Sequence, residues 1–184
     1  MRSYLLWLAV VLVGIVLAGC VETPSSMPGP NVRTEATDIK GVDSAGNELK
    51  LSDYRGKVVL VDFWFDQCGY CRQNHVEEKH LLEKYKDRPF VILGVNTDRD
   101  PETMARSEKE QKLTWPSIAD GKWGLNSRAY SVQYFPTLLL VDHKGRLAVK
   151  PIEGMPQGAQ KKQLDSAIDR LVQEAEQDVA KTTE

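Results

Sequence analysis

Two thiols three residues apart, Cys68 and Cys71 in Cys68-Gly69-Tyr70-Cys71, are the residues of this chain best suited to chemistry. They follow the apolar run Val58-Val59-Leu60-Val61-Asp62-Phe63-Trp64 and precede a helical pattern. At the first turn of a helix, unpaired backbone N–H groups and the positive end of the macrodipole favour a thiolate, so Cys68 is expected to be the more acidic and more nucleophilic sulfur. Cys71 lies one turn on, within reach for a disulfide. Disulfide exchange requires an accessible thiolate and a nearby second thiol that makes reversal intramolecular. Asp62, six residues before Cys68 in a run that reads as buried, is a carboxylate whose pKa burial should raise.

A different chemistry would use Cys68, Cys71 and His75 as ligands for zinc or copper, since Cys71 and His75 are four apart on one helix face. No second ligand cluster accompanies them, and His75 and His80 read more simply as solvent-facing, so no metal is expected. Covalent haem attachment is excluded because Arg72 stands where an axial histidine should follow Cys71.

The elements that must position these groups follow from the hydrophobic pattern. Val58 to Phe65 is too short for a helix and suits a strand buried on both faces. From Gly69 to Lys86, Val76, Leu81, Leu82 and Tyr85 fall on one side and Glu77, Lys79, Glu83 and Lys84 largely on the other, which predicts a helix. Phe90 to Val95 is a second strand, and Asp98-Arg99-Asp100-Pro101 caps a helix over Glu102 to Gln111. Trp115 to Ala119 suits a short strand, and Gly121 to Ser131 a loop with one helical turn. Thr137 to Val141 and Leu147 to Lys150 flank Asp142-His143-Lys144-Gly145 as a hairpin. Leu164, Ile168, Leu171, Val172, Ala175 and Val179 predict a final amphipathic helix. Upstream, Ile39, Val42, the turn Ser44-Ala45-Gly46-Asn47, Leu49 and Leu51 suggest another hairpin. The order argues for a layered α/β domain with a mixed sheet.

With 184 residues the chain suits one domain plus a targeting segment. Arg2 precedes an apolar stretch, Tyr4 to Ala18, that is shorter than the roughly 20 residues a bilayer span takes, and residues 1–19 read as a signal peptide. Leu17-Ala18-Gly19-Cys20 resembles the bacterial lipoprotein processing box, which implies lipidation at Cys20 and leaves Cys68 and Cys71 as the only pair. Residues 20–35, with Pro24, Pro28 and Pro30, read as lipidated cysteine and tether, residues 36–180 as the domain and 181–184 as a tail. The net charge of −2 becomes one unit more negative once Arg2 leaves with the leader, which gives no reason to invoke nucleic acid. Membrane attachment would come from acyl chains.

Val61-Asp62-Phe63-Trp64 ahead of the paired cysteines, with Phe135-Pro136-Thr137 ahead of a hairpin, resembles the thioredoxin superfamily, and more narrowly the exported, membrane-tethered thiol-disulfide oxidoreductases of the TlpA/ResA type. The resemblance covers about Ala36 to Leu171, with an extra αβ segment around residues 97–119. It implies a thioredoxin-like mixed β-sheet flanked by helices, with Cys68 attacking a substrate disulfide, Cys71 resolving the mixed disulfide, and Asp62 exchanging the proton of Cys71. Pro136 would be the family's cis-proline, leaving Phe135 to pair with substrate; Trp64 would pack beside the site and Tyr70 would face the partner. The redox pair itself would serve in place of a cofactor. The implied partners are exported protein disulfides, a membrane electron donor and the bilayer, in the periplasm-facing cell envelope; cytochrome c maturation is one such role.

Several positions depart from the family pattern. Phe65-Asp66-Gln67 replaces the small residue and tryptophan before the first cysteine, Tyr70 replaces a proline and gives the Gly-Tyr pair seen in disulfide isomerases, Val76 replaces a helix-kinking proline, and Phe135 replaces a smaller aliphatic residue. Reduction is the expected direction, with isomerase or oxidase as the alternative. A peroxiredoxin would carry threonine where Phe65 stands, and a pure binding module of this fold would have no need of both thiols.

Overall fold

The computed structural model describes residues 33–182. In chain order its elements are β1 (Thr34–Glu35), β2 (Lys40–Val42), β3 (Glu48–Lys50), a 3-10 turn (Leu51–Tyr54), β4 (Val58–Trp64), α1 (Gly69–Lys84), β5 (Phe90–Asn96), α2 (Pro101–Gln111), β6 (Ser117–Ala119), α3 (Leu125–Ala129), β7 (Thr137–Val141), β8 (Arg146–Leu147), β9 (Ile152–Glu153) and α4 (Gly158–Thr182). Cys20, read as the lipidation site, and residues 1–19, read as a signal peptide, lie outside the described residues, and no described helix is long and apolar enough to cross a membrane.

β4 is buried along its whole length because both of its faces are covered, which is why its sequence is a continuous apolar run interrupted only by Asp62. It pairs in parallel with β5 and antiparallel with β7. The mixed sheet has the order β1-β8-β7-β4-β5-β6, with β9 also paired to β7. Side chains alternate across a strand. Val59, Val61 and Phe63 therefore join Ile39, Leu51, Ile118 and Val132 on one face. Val58 and Leu60 join Tyr85, Leu164, Ile168 and Leu171 on the other. Asp62 and Trp64 continue that second face toward the C-terminal end of β4, and Trp64 packs with Cys68, Cys71 and Met104.

The expected upstream hairpin is present as a separate two-stranded sheet, β2 with β3. Gly41 is required there, since a Cβ would come within 2.6 Å of Ile118 Cγ2. The sheet also takes in Thr34 and Glu35, two residues assigned above to the tether, which pair with Leu147 and Arg146. Arg33 fixes that edge. Its guanidinium bonds Asp142 Oδ2 at 3.1 Å and Glu174 Oε2 at 2.8 Å, while Asp142 also accepts from the Lys144 and Arg146 amides and pairs with the Arg146 guanidinium at 2.8 Å. α4 continues to Thr182, into residues read as a tail.

Candidate active site

Cys68 is the N-cap of α1, with extended backbone (φ −79°, ψ 100°), and its Sγ accepts from the Cys71 amide at 3.1 Å. A sulfur in this place receives the unpaired amides of the first turn, the setting that lowers a thiol's pKa. Cys68 and Cys71 are joined in a disulfide with 5.2 Å between their Cα atoms. Cys68 is 6 % exposed and Cys71 is fully buried. Tyr70 stands out at 63 % exposure beside them. The Phe135–Pro136 peptide is cis, as the resemblance implies.

The segment leading into the helix is held by its own polar groups. The Arg72 guanidinium bonds both the Asp66 carboxylate (2.7 Å) and the Asp66 carbonyl (3.0 Å), and the Asp66 amide donates to Asp98 Oδ2 at 2.9 Å. Desolvation works to raise the Asp66 carboxyl, but hydrogen bonds from Ser107 and Gln67 and the Arg72 charge outweigh it and hold it below the ordinary value.

Beneath the disulfide, α1 turns polar side chains inward. Its buried residues are Cys71, Asn74, His75 and Glu78. This corrects two expectations. His75 is not solvent-facing but 1 % exposed, and the inward face of the helix is not led by Val76, which is 51 % exposed. The reason is Asp62. A buried carboxylate needs a partner, and His75 Nε2 lies 3.0 Å from Asp62 Oδ2. His80 is exposed, as expected.

The other ring nitrogen, Nδ1, is 2.7 Å from Gln111 Oε1, and the Gln111 amide nitrogen donates to Ser107 Oγ at 2.8 Å. The imidazole is also clamped edge-on by Trp64 (5.2 Å) and Trp115 (5.7 Å). Asn74 Nδ2 donates to Glu78 Oε1 at 2.8 Å, which leaves Glu78 Oε2 and Asp62 Oδ1 buried without a hydrogen-bond partner. Burial raises the Asp62 carboxyl, with the His75 hydrogen bond opposing. Burial, and after it the Asp62 charge, pushes the Glu78 carboxyl well above the usual carboxylate value.

Cys68, Cys71 and His75 do not form a ligand set, because the sulfurs are bonded to each other and His75 faces Asp62. Among the described residues, the one group of three such donor atoms close together is Asp62, His75 and Glu78, all within 4.8 Å. A hydrogen bond already joins two of them.

On the outer side, Phe65 and Phe135 meet edge to face at 5.1 Å and open a cavity of about 280 Å³, lined also by Thr97, Asp98, Arg99, Lys122 and Trp123. The structure thus brings Cys68, Cys71, Asp62, Trp64, Tyr70, Phe135 and Pro136 into one region. Sequence reasoning missed Asn74, Glu78 and Gln111 beneath the disulfide and Arg99, Lys122 and Trp123 beside it. The helical set Cys71, Asn74, His75, Glu78, at i, i+3, i+4 and i+7, was the available signal for the first group. The loop residues carried none.

The Redoxin family profile matches residues 25–168. The thiol-disulfide oxidoreductase ResA of Geobacillus kaustophilus is 32 % identical over 116 residues, 63 % of this chain and 66 % of that protein. The thioredoxin domain of a thiol-disulfide oxidoreductase from Bacteroides vulgatus superposes with a TM-score of 0.64 at 31 % identity, covering 76 % of this chain and 96 % of that one. A structure from Chlorobium tepidum described as the thiol:disulfide interchange protein DsbE gives 0.65 at 27 % identity, covering 74 % and 96 %. With a cysteine pair closed at the head of α1 and a thioredoxin-like sheet behind it, the chain belongs to the Redoxin family, among its thiol-disulfide oxidoreductases.

Proposed function

We propose that this protein exchanges disulfides with exported polypeptides as a lipid-anchored reductant facing the periplasm. The observation that carries the exchange chemistry is the Cys68–Cys71 disulfide at the N-terminus of α1, above the buried Asp62. In the reduced protein, Cys68 attacks one sulfur of the substrate disulfide, a mixed disulfide forms, and the other substrate sulfur leaves as a thiolate. Cys71 then gives up its proton to Asp62 and attacks Cys68 Sγ, restoring the internal disulfide and releasing the second substrate thiolate. Burial favours the neutral Asp62 and so favours proton uptake.

Substrate binding falls to the surface beside the pair. Tyr70 and Phe135 present aromatic faces, Pro136 lies against the site, and Trp64 supports it from within. The adjoining cavity has Phe65, Phe135 and Trp123 as apolar walls and the exposed Arg99 and Lys122 at its rim. These groups suit an extended chain with an apolar residue near its cysteine and an acidic one further off. Anchoring at Cys20 is supported by the Leu17-Ala18-Gly19-Cys20 sequence, and a membrane electron donor that returns the pair to the dithiol by the resemblance to the ResA type. Maturation of cytochrome c is one role such a reductant serves.

The Gly69-Tyr70 dipeptide favours a second reading, disulfide isomerisation. The midpoint potential of the pair separates the two. A value near that of thioredoxin, about −270 mV, supports reduction, and one near about −120 mV supports oxidation or isomerisation. In the same protein Cys68→Ser should abolish insulin reduction and Cys71→Ser should accumulate mixed disulfides; full activity of the Cys68→Ser variant would refute the mechanism.

A further inference from the structure

The buried residues of α1, Cys71, Asn74, His75 and Glu78, succeed one another along its inward side, and the partly buried Leu81 and Leu82 continue that side onto the core. Opposite lies Asp62. Nδ1 of His75 meets Gln111 Oε1, an acceptor whose own amide nitrogen is committed to Ser107. This network assigns a hydrogen to Nδ1. The other ring nitrogen, Nε2, and Asp62 Oδ2 then hold one proton between them at 3.0 Å. Glu78 comes next, its carboxyl within 4.8 Å of both. Two oxygens of the trio, Asp62 Oδ1 and Glu78 Oε2, are buried with no hydrogen-bond partner among the described residues.

Past Glu78 is a cavity of about 20 Å³, lined by Asn74, Glu77, Glu78, Lys161 and Asp165 among others. This is room for one water, which needs roughly 10–15 Å³. Lys161 bridges Glu77 (3.2 Å) and Asp165 (3.3 Å) at its outer rim, and all three are partly exposed. The polar stripe therefore runs from the buried sulfur to solvent on the side of the molecule where α1 meets α4, away from the aromatic surface around Tyr70 and Phe135.

We propose that His75 and Glu78 extend Asp62 into a proton relay, which takes the proton of Cys71 during resolution and delivers one to solvent between α1 and α4. The relay rests on the reading of Asp62 given above. During the step Cys71 loses its proton to Asp62 Oδ1, and the proton between Oδ2 and Nε2 moves to Glu78. The Glu78 carboxyl gives its own proton to the water beyond it. Cys71 sulfur forms its bond to Cys68, the bond from Cys68 to substrate breaks, and the electron pair leaves on the substrate sulfur. The trio ends with as many protons as it began. A docked polypeptide covers the disulfide, so an exit on the opposite side keeps proton transfer open while substrate is bound. His75 and Glu78 are positioning residues, since neither touches substrate.

Charged and titratable groups lie near the trio on two of the elements packed around it, among the described residues. α1 contributes Cys71, Glu77 and Lys79, and α4 contributes Lys161 and Asp165. β5 and β7 set Gly94 and Leu138 beside Asp62, and α2 presents the uncharged Gln111.

The test separates the two chemical steps with Ellman's reagent on the reduced full-length protein between pH 5 and 9. The first thionitrobenzoate released reports attack by Cys68, and the second reports resolution by Cys71. Glu78→Gln should leave the first rate unchanged, slow the second about tenfold or more, and move its pH profile; Leu81→Phe, which fills the cavity and keeps every titratable group, should slow the second in the same way. Melting curves show that each variant is folded. An unchanged second rate and profile in both variants would overturn the relay. If Asp62→Asn also leaves resolution unchanged, the reading of Asp62 itself fails; if Asp62→Asn slows it while Glu78→Gln does not, only the extension fails. Stoichiometric zinc held by the wild type and lost in Glu78→Gln would overturn the relay as well, because the trio would then be a ligand set.

Discussion

Replacing Glu78 by glutamine should change how stability responds to pH, with a slope set by one proton. The carboxyl is fully buried and held well above its ordinary value of 4.5, by desolvation first and the Asp62 charge second. As pH rises through that ordinary value, the unfolded chain ionises Glu78 while the folded protein keeps it protonated. The folded state then binds more protons than the unfolded one, so stability falls with pH, by about 1.4 kcal/mol per unit for a single proton, until the folded value is passed. Glutamine cannot ionise and keeps the acceptor for Asn74 Nδ2. Near pH 3 the two proteins should be about equally stable, and above pH 5 the variant should gain on the wild type by up to about 1.4 kcal/mol per pH unit. That corresponds to roughly 3–6 °C in Tm per unit for a chain of this size. Urea unfolding of the disulfide-intact proteins from pH 3 to 9 measures it. Acids whose values are lowered in the fold, such as Asp142 and Asp169, titrate in both proteins and cancel in the difference. Parallel stability curves across that range would refute the reasoning.

Gly94→Ala should destabilise by about 1–3 kcal/mol in thermal melts, because the new Cβ would lie 2.3 Å from Ser117 Oγ and 3.0 Å from Trp64 Nε1. Asp142→Ala removes the shared partner of Arg33 and Arg146, both partly exposed, together with its charge-assisted hydrogen bonds, and should cost about 1.5–3 kcal/mol in urea titrations at neutral pH. Hydrogen bonds to Arg146 and Lys144 hold the Asp142 carboxyl below its ordinary value in spite of its burial. Its contribution is therefore present above the ordinary carboxyl range and lost as pH falls through the folded value, so the difference between variant and wild type should shrink in acid. Trp123→Ala should raise KM several-fold for a disulfide-bonded polypeptide substrate such as insulin while leaving the first Ellman's burst unchanged; a matching loss in both assays would remove the cavity from substrate binding.

The strand carrying Asp62 was legible because a parallel-sheet strand buried on both faces has a short apolar run as its sequence, and the paired cysteines were legible from their place after it. The helix that follows was recognised, and Leu81, Leu82 and Tyr85 do pack on the core, but Val76 faces out and the first turns of the inward side were misjudged. Hydropathy ranks Val76 above Asn74, His75 and Glu78, whereas the surface those turns cover is set by Asp62, whose need for a hydrogen-bonding partner no local scale contains. The partner lies thirteen residues from His75 in sequence and in a different layer of the fold. Gln111 lay further from reach, since it acts from α2. Arg99, Lys122 and Trp123 come together only through the paths of two loops, and the pairing of Ile152 and Glu153 with β7 depends on a two-residue strand too short for any period to show.

The register of the outer strands sets where this domain points. Thr34 pairs with Leu147, Leu147 with Val141 and Val141 with Val59, so the chain enters the sheet level with Val59. Trp64, which packs against the paired cysteines, lies five residues further along β4, roughly 17 Å away at about 3.3 Å per residue. Two ion pairs, from Arg33 to Asp142 and to Glu174, hold the first described residue at that end of the sheet. If Cys20 is fixed in a bilayer, the thirteen residues from there to Arg33 reach at most about 45 Å. The tether would then join the sheet at the end remote from the dithiol, and its length would set how far from the membrane surface the domain can work.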